Sequence, residues 1–210
     1  MQIDIYQDIV CPWCRIGERN LLEALKLSNR SFVEGITVNY RAYPLDPDLP
    51  PEGCGLLEAM TVKMGGAANV PRVIEHVTKV GAEAGIVFRF DLITTLPNTN
   101  SAHRFISLAR PDKKAEIVDA LYRAYFEEGR DIGKLDELSR IAQRAGLDEL
   151  LLRKRLEQGD GAESVKDDLD SARSVGVDGV PFFVFNDKYT LSGAYPAAEL
   201  TCLLERLKYW

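Results

Sequence analysis

Strand-like periodicity is confined to the two ends of this chain, and helical periodicity fills the middle. Residues 2–7 (QIDIYQ) alternate apolar and polar side chains with Ile3 and Ile5 in phase, as a short strand does. From about Cys14 to Lys26, the residues Ile16, Leu21, Leu22 and Leu25 recur at helical spacing. Glu18, Arg19, Glu23 and Lys26 lie on the opposite face, and Asn29 and Arg30 close the helix. Residues 36–43 (ITVNYRAY) are rich in β-branched and aromatic side chains and read as a second strand. Near the other end, 181–186 (PFFVFN) and 188–192 (KYTLS) are two strand-like runs joined by Asn186-Asp187, a tight hairpin turn. Pro196 then opens a helix whose face is Leu200, Leu203, Leu204 and Leu207.

Between these ends, PLDPDLPPEGCG packs four prolines and two glycines into one stretch and marks a boundary. A helical region follows from about Leu56 to Val175, its pieces separated by GG, PNTN, RPD, EGRDIG, AGLD and QGDG. Asn100 or Ser101 is the expected cap of a helix beginning near Ala102. Asp112 is the expected cap of the helix through Leu121 and Tyr125. Asp136–Ala145 and Asp148–Glu157 read as two further helices divided by Gly146. The expected architecture is an α/β sheet domain, residues 1–54 and 176–210, interrupted by an all-helical subdomain at 55–175.

Composition removes several classes of function. The chain has 210 residues and 46% apolar side chains, enough to bury a core without disulfides. Its formal charge is −6 and it holds no basic run, so nucleic acid is not an expected partner. No apolar stretch is long enough for a bilayer, and a membrane is not an expected partner either. The opening MQIDIYQDIV has no basic n-region and no apolar h-region, which leads to the expectation of a cytoplasmic protein.

Of the four cysteines, only Cys11 and Cys14 are closely spaced. Cys11-Pro12-Trp13-Cys14 falls between the first strand and the first helix. A sulfur at a helix N-terminus meets unpaired N–H groups and the positive end of the dipole, which favour the reactive thiolate. Pro12 costs little there, because its missing N–H would be unpaired in any case. The spacing places the second sulfur about one helical turn further on, near enough to close a small disulfide. Cys11 is the expected nucleophile and Cys14 the resolving thiol. A zinc site would need a second ligand pair at similar spacing, and Cys54, Cys202, His76 and His103 are isolated. No phosphate loop, dinucleotide fingerprint, HExxH or GxSxG motif occurs, and dithiol exchange needs no bound cofactor.

These residues, together with Gly179-Val180-Pro181 leading into a strand and the helical insertion, resemble the DsbA family of thioredoxin-fold oxidoreductases. Leu45-Asp46-Pro47, Pro97-Asn98-Thr99, Ala102-His103-Arg104, Ala124-Tyr125-Phe126 and Ser192-Gly193-Ala194 narrow the likeness to its cytoplasmic FrnE-like branch. That branch is similar to 2-hydroxychromene-2-carboxylate isomerases and kappa-class glutathione transferases. The resemblance implies a thioredoxin-like fold and a cis Val180–Pro181 bond facing the disulfide. It implies that the Val180 backbone pairs with an extended client segment, and that Pro12 and Trp13 flank the bound client. It also implies that Asn98 and His103 line the groove, His103 donating to a client or assisting proton transfer. Trp13 stands where strongly oxidising members carry histidine, so a less oxidising disulfide is expected.

The expected activity is cytoplasmic thiol–disulfide exchange or isomerisation. Its partners are client proteins or small thiols with reactive disulfides, with glutathione as a possible redox partner. In a cytosol poised at roughly −220 to −320 mV, net reduction or isomerisation is more plausible than net oxidation. Two rivals stand beside it. One is a glutathione-dependent isomerase or transferase acting on a small molecule; the other is a client-binding module whose apolar groove matters more than its sulfurs. Cys54 reads as an incidental exposed thiol and Cys202 as a packing residue among leucines. His76 reads as a surface residue, and Met60 and Met64 as core or groove-side packing.

Overall fold

The computed structural model describes residues 1–28 and 33–208, so the helix end read at Asn29 and Arg30 lies outside the described residues. In chain order its elements begin with β1 (Gln2–Gln7), α1 (Pro12–Leu27), β2 (Thr37–Ala42), β3 (Cys54–Gly55), α2 (Leu56–Lys63), α3 (Val70–Glu83) and β4 (Thr95–Leu96). The helices α4 (Asn100–Leu108), α5 (Lys114–Phe126), α6 (Leu135–Arg144), α7 (Glu149–Glu157) and α8 (Ala162–Val175) follow. Strands β5 (Phe182–Phe185) and β6 (Tyr189–Ser192) and helix α9 (Ala197–Leu207) complete the order.

Five of the six β1 residues are buried, so this strand must be covered on both faces. It pairs in parallel with β2 and antiparallel with β5, which pairs with β6, giving the order β2-β1-β5-β6. The β1–β5 ladder, Ile3 against Phe185 through Tyr6 against Phe182, joins the two ends of the chain. On one face Ile3, Ile5, Phe183 and Phe185 pack with Ile16 and Leu21 of α1 and with Leu200, Leu204 and Leu207 of α9. On the other, Tyr6, Phe182 and Val184 pack with Ala172 of α8. Polar bonds fix α8 there. Asp168 accepts from the Ala42 N–H at 2.9 Å and from Arg41 at 3.1 Å, and the Tyr6 hydroxyl lies 2.7 Å from Ser171 Oγ. The first core continues without a break into the helical block, through Phe105, Tyr122, Ile141 and Leu156.

Asn186 and Asp187 have φ of 50° and 56°, the left-handed pair that a two-residue hairpin requires. Asp148 caps α7 by accepting from the Leu151 N–H at 2.9 Å. Elsewhere the sequence expectations need correction. Neither Asn100 nor Ser101 caps α4: Thr99 holds the cap position without a side-chain bond, and Asn98 Oδ1 accepts the Asn100 N–H at 2.9 Å. Asp112 sits in a short turn before α5 rather than at its cap. The two-residue ribbon of β3 and β4, Cys54 against Leu96, lies in stretches read as loop and helix. Cys54 is therefore a half-buried ribbon residue, not an exposed loop thiol. Cys202 is exposed, because the buried face of α9 runs through positions 200, 204 and 207 and position 202 turns away from it.

Candidate active site

Cys11 is the N-cap of α1, with extended backbone (φ −91°, ψ 111°) and Pro12 in the first turn behind it. Its sulfur accepts the Cys14 N–H at 3.3 Å, the side-chain cap this position calls for. The Cys11 thiol also donates to the Val180 carbonyl at 3.6 Å. The Val180–Pro181 peptide bond is cis. The Pro181 loop reaches the dithiol because α1 carries glycine at position 17. A Cβ there would stand 2.9 Å from Pro181 Cγ and 3.3 Å from the Phe183 ring. Cys11 is 5% exposed and Cys14 0%. Both are free thiols, so the site is described in its reduced form.

Burial pushes the Cys14 thiol well above its ordinary value, and its hydrogen bond and Coulomb interaction with Cys11 add to this. A hydrogen bond from the Asp8 backbone pulls the other way. The two sulfurs are therefore unequal. One caps a helix and keeps a small exposed edge; the other is sealed one turn inside.

A polar group of residues lies behind them. Asp8, in the turn after β1, accepts the Cys11 N–H through its carbonyl at 3.1 Å. Its carboxylate accepts the Leu45 N–H at 2.8 Å, and its other oxygen lies 3.1 Å from His103 Nε2. The Tyr122 hydroxyl donates to Gln7 Oε1 at 2.8 Å, and burial pushes that hydroxyl well up. Arg15 stacks over the Tyr122 ring and bonds Asp119 at 2.7 Å. Glu18 was expected on the solvent face of α1 but is 0% exposed. Its carboxylate meets the Tyr40 hydroxyl of β2 at 3.4 Å as well as Arg15, a cover from another element that the periodicity of a single helix does not reveal. Burial raises the Glu18 carboxyl to about 7, with Arg15, 3.5 Å away, opposing the shift.

The expected site residues divide by place. Cys11, Cys14, Pro12, Trp13, Val180 and Pro181 come together at the N-terminus of α1. Trp13 is half-buried and its ring lies against exposed His76 of α3, with centroids 5.7 Å apart. Asn98 is held to the Leu49 carbonyl at 2.5 Å. His103 is 3% exposed and its Nε2 lies 3.1 Å from the Asp8 carboxylate. Asp8, Gln7, Tyr122 and Glu18 were not singled out from the sequence. Asp8 carried the only local signal, three residues before Cys11. Met60 and Met64 are half-buried at the end of α2. Among the described residues, no group of three or more His, Cys, Asp or Glu is placed to hold a metal, and no helix is long and apolar enough to cross a membrane.

The DSBA-like thioredoxin domain model matches residues 2–205. The chain belongs to the DsbA-like family. The uncharacterized protein YwbO of Bacillus subtilis is 26% identical to this DsbA-like chain over 196 residues, covering 89% of the chain and 88% of YwbO. The solved structure of a probable DsbA oxidoreductase, SCO1869 of Streptomyces coelicolor, superposes with a TM-score of 0.87. The two are 29% identical, with 98% of this chain and 89% of that one covered. The cytosolic disulfide reductase DsbM of Pseudomonas aeruginosa, determined with GSH, shares the fold at a TM-score of 0.70 and 16% identity. All of both chains is covered. The DsbA-like family accounts for the sheet flanked by helices, the helix-capping CxxC and the cis-proline loop beside it. It makes the chain a thiol oxidoreductase in the general sense.

Proposed function

We propose that the chain is a cytoplasmic protein-disulfide oxidoreductase that exchanges disulfides through Cys11 and Cys14. The observation that carries this reading is the cap of α1. Cys11 Sγ accepts the Cys14 N–H at 3.3 Å and lies 3.6 Å from the Val180 carbonyl, so one sulfur stands at a helix end beside the backbone of the cis-proline loop. In the reductive direction the Cys11 thiolate attacks one sulfur of a client disulfide. The client S–S bond breaks, a Cys11–client bond forms, and the other client sulfur leaves as thiolate and takes a proton. Cys14 then attacks Cys11, closing the Cys11–Cys14 disulfide and releasing the second client thiol. The dithiol has lost two electrons and the client disulfide has gained them. Run backwards, the oxidised pair donates its disulfide.

Clients are extended peptide segments whose backbone adds to the Val180 edge, with Pro12 and Trp13 supplying the apolar flank. Glutathione is the proposed recharging thiol. A shared fold with DsbM, a reductase determined with GSH, supports both that partner and the cytoplasmic location. The test is a disulfide reductase assay on single variants in a Cys54→Ser, Cys202→Ser background. Cys11→Ser should abolish turnover, and Cys14→Ser should accumulate mixed disulfides on Cys11. Turnover surviving Cys11→Ser would overturn the reading. A glutathione-dependent conversion of a small molecule would instead survive loss of Cys14.

A further inference from the structure

Strand β2 lies at the edge of its sheet, with no strand on its outer side. Thr37 and Tyr43 give their N–H groups to the Met1 and Gln7 carbonyls on the β1 side. Along a strand the direction alternates from residue to residue, so Val38, Tyr40 and Ala42 turn their N–H groups outward. Asp168 of α8 takes the Ala42 N–H at 2.9 Å. Tyr40 borders a polar cavity of about 200 Å³ where this edge meets α4, α5 and α8. The Tyr40 hydroxyl is engaged elsewhere, with Glu18.

The cavity wall holds donors without partners. Gln7 is 1% exposed and lines the cavity, and its Nε2 has no hydrogen-bond partner. Lys114, at the start of α5, makes no hydrogen bond or ion pair among the described residues. Arg41 gives Nε to Asp4 and Nη1 to Asp168, which leaves Nη2. Ser164 stands in the first turn of α8, at the positive end of that helix. The carboxylate in the wall is already spent. Asp168 accepts from Arg41 on Oδ1 and from the Ala42 N–H on Oδ2, and burial raises its carboxyl. Asp4 lies behind Arg41 and takes up the amides of Gln2 and Asn39. A buried donor left unpaired is costly. An ammonium, a guanidinium edge, an amide and an outward backbone N–H are together met by an anion that accepts through several oxygens at once.

We propose that this cavity binds a small oxygen anion, a carboxylate or a phosphate. Its oxygens accept from Lys114, Arg41 Nη2, Gln7 Nε2 and the Tyr40 N–H. The space equals that of several waters, enough for an anion the size of malonate or phosphate and too little for a peptide segment. Neither sulfur nor Val180 belongs to the wall, so the inference stands apart from the dithiol-exchange reading. His103 does belong to it, while its Nε2 lies 3.1 Å from Asp8, and its ring therefore reports on what the cavity holds.

The experiment uses the two histidines of the chain, His103 at the cavity and His76 beside Trp13. Their ring resonances are followed by NMR in the reduced, histidine-labelled full chain at constant pH and ionic strength. Malonate, inorganic phosphate or malonamide, the neutral analogue of malonate, is added in separate titrations. His103 should shift saturably with malonate or phosphate while His76 stays in place, and the tighter of the two anions tells carboxylate from phosphate. Malonamide should move neither ring. Lys114→Gln, on a half-buried side chain at the wall, should weaken the anion roughly tenfold. Lys114→Arg should restore it. No saturable shift at His103, or equal shifts at both rings, overturns the site. Equal binding of malonamide overturns it as well, because the charge would then count for nothing. So does a Lys114→Gln protein that binds as tightly as the unsubstituted one.

Discussion

Glu18 sits without solvent contact, one helical turn beyond Cys14, and its carboxyl titrates near 7 rather than at the ordinary 4.5. Desolvation is the larger cause, and Arg15 only partly offsets it. The folded protein therefore holds this proton more tightly than the unfolded chain does. Stability is full below about 4.5 and is lost as pH rises through about 7. The shift corresponds to roughly 3 kcal/mol. Glu18→Gln keeps an acceptor for Tyr40 and removes the titration. Urea melts should show the native protein weakening across this window and the variant holding level; parallel curves would refute the assignment. At this scale, legibility depended on how far apart in sequence a contact lies. Cys11 and Cys14 were legible because their chemistry needs only a helix start and a spacing of three. Asp8 meets His103 from 95 residues away, and Glu18 meets the Tyr40 hydroxyl of another element, so no local pattern announces either.

The elements were more readable than their joints. Helices and strands follow periodicity, and each element at the ends of the chain lies where its pattern placed it within a residue or two. The ribbon of β3 and β4 did not, because two-residue strands have no period; their partners create them. The junction of α8 with edge strand β2 was equally hidden. There the Ala42 N–H points away from β1 and bonds the Asp168 carboxylate at 2.9 Å, and Arg41 holds the same carboxylate while also binding Asp4. Burial raises the Asp168 carboxyl, yet the backbone bond makes the group hard to replace. Asp168→Ala leaves a buried N–H unpaired and should cost about 1–3 kcal/mol in denaturant melts. Asp168→Asn, which preserves an acceptor, should cost less. Equal losses from both variants would mean that the charge, not the cap on Ala42, holds α8 to the sheet.

For the whole molecule the question is whether the helical subdomain read at 55–175 folds by itself or as part of one unit with the sheet. A single apolar core runs from Ile3 and Phe185 through Ile16 to Tyr122, Ile141 and Leu156, and α8 closes the second face of the sheet. Neither set of elements covers its own apolar surface. Without the helices of the block, the Asp8 side of α1 and the Tyr6 face would open to water. Without the sheet, α8 would lose Ala42 and Arg41. Stability that rests on shared burial is lost all at once. Thermal unfolding followed by far-ultraviolet circular dichroism and by tryptophan fluorescence, with Trp13 at the dithiol reporting on the seam between the two parts, should therefore give one coincident transition. Variants at the seam, such as Glu18→Gln, and at the far side, such as Asp168→Ala, should move both signals together. Two separated transitions would show the helical block folding as a domain in its own right. The seam beside the dithiol would then be a hinge rather than a core.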